Sequence, residues 1–482
     1  MKQTRRRESG QVLLVALGVS VILVGMLAMT ASNEESAIKA ESNRMAARRT
    51  HMAAVAAGQL TIQYLMEGNS GVGATTTAQA TTLASGNPGP TPPADTTAVS
   101  TTLDDWYTVG QNGQMKFVLG DVTFRMQIID ECSLLDINQA SSQEMQNLGL
   151  TQEQGDCITD YRTAGETPQP DGAKDDYYNA LPNPYNAKLA RFDTVDELLQ
   201  VQWMTPDALY DPQQQGGTVQ MQALPNGQMP SVYDLVTTYA YAPNTTATGG
   251  TRTSLNALYN QLSVGTRQRL FPAGNPTAAA PGRPGAGGGA AGAGGRQARP
   301  GGGGTTTRPG QGGIRNPTYT TMAQVFTADP GMPQADARVI LNNMTYGTGT
   351  NIEGLINVNT ASQNALAALP NMDPNVAAAI VQQQQSGFQT LGDLLTVSGV
   401  TPQLLGQVGV NFSIASTTYE CRVIVTAGTE QDAYIVVVQV TGGVPQIVAI
   451  NPTPFPAEQM LLRWGWQPEA TGETDLITNS QS

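Results

Sequence analysis

The chain has 482 residues, room for two or three domains, with a formal net charge of −13 and only 13% charged residues. An acidic balance of this size argues against wholesale nucleic-acid binding, which needs a basic face. There is no Ser/His/Asp arrangement and no phosphate loop, and the single histidine, His51, sits beside Arg48 and Arg49 as an ordinary surface residue, so the chain reads as non-enzymatic.

Residues 1–10 form a short basic leader containing Lys2, Arg5, Arg6 and Arg7. Gln11–Ala31 then runs 21 positions without a charge. At about 1.5 Å per helical residue it spans roughly 30 Å, the thickness of a bilayer's hydrocarbon core. The leader's charges place the N-terminus in the cytoplasm and everything after residue 31 on the far side. A secretory signal peptide fits less well, because the apolar run is long and no small-x-small cleavage site follows it. From Ser32 to Glu67 there is no proline and one glycine, Gly58, so the helix is expected to continue over 11–67. Ile38, Met45 and Met52 recur every seven residues, a stripe suited to packing on other helices.

Residues 68–114 are rich in Thr, Ala, Gly and Pro and read as an exposed loop. Over 115–131, two alternating runs around Gly120-Asp121 predict a β-hairpin. Helical periodicity follows at Glu144–Leu150 and Gln152–Arg162, within an α-helical domain drawn over 132–271. A further helix is expected over Val195–Leu199, capped by Asp193 or Thr194. Residues 272–317 are Gly, Ala, Pro and Arg and read as a disordered linker. A second helical unit over 318–411 carries helices at Gln363–Ala368, Pro374–Gln384 and around Leu391–Thr396. Strands at Thr418–Val425, Tyr434–Val440 and Gln446–Ile450 make an antiparallel C-terminal part, 412–465, before a tail, 466–482.

Of the three cysteines, Cys132 and Cys157 flank one small helical unit and are the pair an oxidising compartment would join; three buried thiols are the alternative. Asp171, Asp175 and Asp176 share a turn-rich patch that would suit Ca²⁺, a hard cation that takes several oxygens, or would simply be solvated.

Two segments resemble each other: Leu134-Leu-Asp-Ile-Asn138-Gln-Ala-Ser141 and Leu355-Ile-Asn-Val-Asn359-Thr-Ala-Ser362. Each is followed by a Phe-x-Thr-x-x-acid-Leu-Leu stretch, at Phe192 and Phe388. The second copy resembles the helix-hairpin-helix of membrane-anchored DNA receptors. Asn371-Met372-Asp373 stands where DNA-binding versions carry Gly-x-Gly, and no Lys lies between Gln363 and Gln407, so both copies read as structural.

The join Ser9-Gly10-Gln11 resembles that of a type IV prepilin, which implies peptidase cleavage between Gly10 and Gln11. Val15 stands where ordinary pilins carry a glutamate, a departure that suits a subunit with no neighbour above it. This leader, the Asp130-Glu131 strand end, the two Asn-rich helix starts and Gly172-Ala-Lys-Asp-Asp-Tyr-Tyr178 together resemble the K-type minor pseudopilins of type II secretion. The resemblance implies an α+β fold: a long N-terminal transmembrane helix, a pilin-like antiparallel sheet, and an inserted α-helical domain with helix-hairpin-helix-like units. It also allows a calcium site in that domain. The expected role is a non-enzymatic tip subunit in the inner membrane, its C-terminal domains periplasmic, with other minor pseudopilins and a prepilin peptidase as partners. A type IV minor pilin or a DNA-uptake receptor is the alternative.

Overall fold

The computed structural model describes residues 5–68, 99–213, 215–216, 219–224, 227–276, 316–347, 349–408, 410–428 and 430–467; over 5–36 it gives the helix backbone but few side chains. Residues 69–98 of the loop expected at 68–114, and nearly all of the linker expected at 272–317, lie outside these residues.

One helix runs from Arg5 to Gly68 over 64 residues, about 96 Å at the usual rise. Its last turns lie on a five-stranded antiparallel sheet. The strands stand in the spatial order Lys116–Leu119, Val122–Asp130, Thr418–Ala427, Glu430–Thr441, Val444–Pro452. The contact is made by small side chains, Ala53, Ala54 and Ala57, against Phe124, Met126, Ile128 and Val423. Gly58 lets the backbone come close, since a Cβ there would meet Ile447 Cδ1 at 2.7 Å. Ile38, Met45 and Met52, the stripe with a period of seven, are all exposed, leaving it free of this chain's own sheet. Among the described residues no helix is long and apolar enough to cross a membrane, and most side chains of Gln11–Ala31 lie outside that set.

The opposite face of the sheet is covered by a helix the sequence pattern did not reveal, Ala457–Arg463. With Trp464 and Trp466 it packs on Ile424 and Ala433. Trp466 belongs to this core rather than to a tail, and its indole N–H donates to Gln127 at 2.9 Å. Part of the expected Thr/Pro loop is likewise ordered: Trp106 is buried and its ring sits 4.9 Å from that of Tyr419.

The chain leaves the sheet at Asp130 and returns at Thr418, with Asp130 opposite Tyr419 in the ladder. Most of the excursion between them shares a continuous apolar core, running from Leu135 to Ile414. Besides the helices read from sequence it contains Met322–Ala328 and Gln334–Asn343. Short parallel bridges also form, Leu135–Asp136 with Val236–Thr237 and Ile356–Asn357 with Phe412–Ser413. The expected helices at Val195 and Leu391 are 3-10 turns, Val195–Gln200 and Leu391–Thr396. Thr194 precedes the first without a capping bond from its side chain.

Candidate functional site

The excursion holds two units built on one plan. In the first, the Ser141 hydroxyl caps Ser142–Asn147 and Thr151 caps Gln152–Arg162, each with a reciprocal bond from the third residue of its helix. In the second, Ser362 caps Gln363–Ala367 and Asp373 caps Pro374–Gln383. An asparagine ties each helix pair to a distant phenylalanine. Asn138 accepts from Phe192 N–H at 2.7 Å and donates to Phe192 C=O at 3.1 Å. Asn359 does the same with Phe388, at 2.6 and 3.0 Å. These amides close loops of 54 and 29 residues while buried, which explains why each Asn precedes the Ala-Ser helix start.

The seam between sheet and excursion is polar. Asp130 Oδ2 accepts from Thr360, Ser416 and Asn357 at 2.6, 2.7 and 2.9 Å, and Oδ1 takes the N–H of Cys132 at 2.8 Å. Burial pushes the Asp130 carboxyl above its ordinary range despite these donors. Beside it, Glu131 bonds Thr237 and is pushed well up by burial and by the facing Glu420. Glu420 is itself bonded by Arg422 at 2.6 Å. The cavity here is about 70 Å³, too small for a metabolite. The seam therefore joins two parts of the chain, and sequence reasoning missed it because bonded members such as Asp130 and Ser416 lie 286 residues apart.

The hairpin of the second unit turns through Asn371 at φ 62°, followed by Met372 and the Asp373 cap. Asp373 spends its carboxylate on Asn375 N–H at 2.7 Å, and no Lys or Arg occurs from 363 to 407, so a phosphate would meet a negative surface.

At two places the sequence leaves alternatives open. Cys132, Cys157 and Cys421 are all free and buried. Cys132 packs with Ala240 and Ala242 and donates to Tyr241 C=O at 3.2 Å. Cys157 lies in the core of the helical units and donates to Asp171 C=O at 3.4 Å. The two thiols occupy separate clusters, so no disulfide joins them. Burial raises the Cys132 thiol well above its usual value and takes Cys157 to about 12.

Asp171, Asp175 and Asp176 do not converge, and among the described residues no group of three acidic, His or Cys side chains could hold a metal. Asp175 accepts from Ala187 N–H at 2.8 Å, while Asp171 and Asp176 are exposed. The cation inside this turn is Lys174, whose ammonium donates to the carbonyls of Asp160 and Thr163, both at 2.6 Å. Gly10, Gln11 and Val15 belong to the long helix, with side chains outside the described residues.

Comparison with known proteins bears on this arrangement. Residues 138–211 match the family model described as type II secretion system (T2SS), protein K. The chain resembles the K-type minor pseudopilins in this stretch, which is similar to the protein K domain of that family. That domain spans the first unit from Asn138 through the Phe192 stretch, and it supports a minor-pseudopilin role in type II secretion. Residues 351–412 match the helix-hairpin-helix motif, which coincides with the second unit. A search of curated proteins finds no match. Among solved structures, the chain is similar to one in the GspK-GspI-GspJ complex of the type 2 secretion system of enterotoxigenic Escherichia coli. The identity is 9%, the alignment covers 86% of this chain and 99% of that one, and the TM-score is 0.43.

Proposed function

We propose that this chain is a non-enzymatic minor pseudopilin that takes part in protein export across the outer membrane, anchored in the inner membrane by Gln11–Ala31 with its folded part in the periplasm. The protein K domain, set in an excursion from a sheet that packs on a long N-terminal helix, is the observation that carries this reading. The sheet covers one side of the helix and leaves Ile38, Met45 and Met52 exposed, the disposition expected of a subunit whose helix meets those of other minor pseudopilins. A tip position follows from two arguments. A folded part of several hundred residues is too bulky to repeat along a tightly packed shaft, and Val15 needs no partner amine from a neighbour above it.

The test is coexpression with a prepilin peptidase and with smaller minor pseudopilins. Mass spectrometry should find residues 1–10 removed, and crosslinks from position 45 should capture the partners. An intact Met1, or a cut near Ala31, would overturn the prepilin assignment. Label distributed evenly along assembled pseudopili would overturn the tip position alone. The helix-hairpin-helix match keeps DNA uptake as a second reading. Tight, salt-resistant retention of double-stranded DNA in a gel shift would bring it forward.

A further inference from the structure

In the second unit the chain passes from the 3-10 turn at Leu391–Thr396 to Thr401 through Gly399, at φ 87°. In the first unit the matching path leads from Val195–Gln200 to the Thr205 cap, and Trp203 stands at the glycine's place with φ 66°. The correspondence is fixed by identical backbone bonds: Val201 to Leu198 and Met204 to Val201 in one unit, Val397 to Leu394 and Val400 to Val397 in the other. A bulky side chain in the left-handed region is strained. Burial does not compensate for it, because Trp203 is 61% exposed.

Leu189, at φ 50°, is a second strained and exposed apolar residue, its N–H held by Tyr161 C=O at 2.8 Å. Both belong to one surface. Tyr161 and the exposed Tyr185 bond the side chain and the carbonyl of Gln200, at 3.0 and 2.7 Å, and Trp203 C=O is held by Gln154 at 3.0 Å.

Residues 150–211 carry twelve acidic and four basic side chains. All four cations are engaged within the chain. Arg162 bonds the carbonyls of Ile137 and Ala140, and Lys174 those of Asp160 and Thr163. Lys188 pairs with Asp193 and Glu197, and Arg191 with Glu353. Exposed carboxylates, Glu153 and Asp207 among them, remain without a cation in these pairs.

We propose that this face of the first unit binds a polypeptide segment in which Lys or Arg flank aromatic or aliphatic side chains. Trp203 and Leu189 would supply the apolar anchors and the surrounding carboxylates the charge complement. The proposal stands apart from the pseudopilin reading and does not need it.

The test uses the full chain and a fluorescein-labelled peptide, Lys-Leu-Lys-Phe-Lys-Leu-Lys, against its counterpart with Glu for every Lys. Anisotropy should show the lysine peptide binding at least about tenfold more tightly, with affinity falling as salt is raised through the Debye range. Trp203→Gly installs the residue of the sister unit, so its thermal midpoint should hold or rise while peptide affinity drops about tenfold. Trp203→Asn, also tolerant of this conformation, gives an independent reading. Equal affinity for the two peptides, or unchanged binding by both variants, would overturn the proposal. So would self-association of the wild-type chain that Trp203→Gly abolishes, which would make a second copy the occupant.

Discussion

The two helix-hairpin-helix-like units share caps, asparagine ties and parallel bridges, yet they bury different groups at one equivalent position. In the second unit Asn357 donates through Nδ2 to Ser100 C=O, Asp130 Oδ2 and Ser416 Oγ, at 3.1, 2.9 and 3.1 Å. In the first, Asp136 occupies that position. Its Oδ1 accepts from Asn138 N–H at 2.8 Å, but its Oδ2 is buried without a partner. Burial, reinforced by Glu353, raises its carboxyl to about 7. Asn357 locks its unit to the sheet, whereas Asp136 leaves its unit responsive to pH. One backbone plan thus serves as a fixed joint in one place and a titratable one in the other.

The sharpest way to break this contrast is Asn357→Asp. It removes the donor to Asp130 and sets a second carboxylate against it, so a loss of about 3–5 kcal/mol is expected at neutral pH. The loss should shrink in acid, where one of the pair holds a proton; urea denaturation at pH 5 and pH 8 checks this. A pH-independent loss would mean that packing alone was disturbed.

The converse change, Asp136→Asn, should stabilise. Below the unfolded value of about 4 both states hold the proton and the carboxyl costs nothing. Between about 4 and 7 the unfolded state releases a proton that the folded state keeps, so stability falls as pH rises, and the full cost is present above about 7. The variant should gain roughly 2–4 kcal/mol at pH 8 relative to wild type and almost nothing at pH 4. Asp130 and Glu131, both raised, leave it some slope of its own. Thermal melts across that range read the difference, and parallel pH profiles would show that Asp136 is not the titrating joint.

The hairpins offer a smaller contrast. Gly149 turns the first at φ 104°, and a Cβ there would meet Gln213 Oε1 at 2.9 Å. Gly149→Ala should cost about 1–2 kcal/mol. Asn371 turns the second at φ 62°, which asparagine tolerates, so Asn371→Gly should change stability by no more than about 0.5 kcal/mol. Equal effects at the two sites would dissolve the distinction.

Much of this was local and hence legible in the residues. The hairpin around Gly120, the helices beginning at Gln152 and Pro374 and the three late strands follow from alternation and helical periodicity, which act over a few residues. The likeness of the two asparagine segments was visible as well, because each unit repeats the same short pattern. The alternatives at Cys132 and Cys157 and at the Asp171 turn could not be decided locally, because closeness along the chain does not give closeness in space. Packing sent the two thiols into separate clusters, and Lys174 turned its ammonium to the carbonyls of Asp160 and Thr163.

From the residues alone came the sheet strands, the helices at Gln152 and Pro374, the repetition of a unit and the apolar run before it, since periodicity and backbone propensity depend on near neighbours. What those units meet depends on packing across the whole molecule. The Asp130 hub draws on residues 100, 357, 360 and 416, the helix Ala457–Arg463 folds back over the sheet, and Trp203 stands at a position where the sister unit has glycine. Each depends on which surfaces close together to exclude water, and that is settled by the whole chain at once.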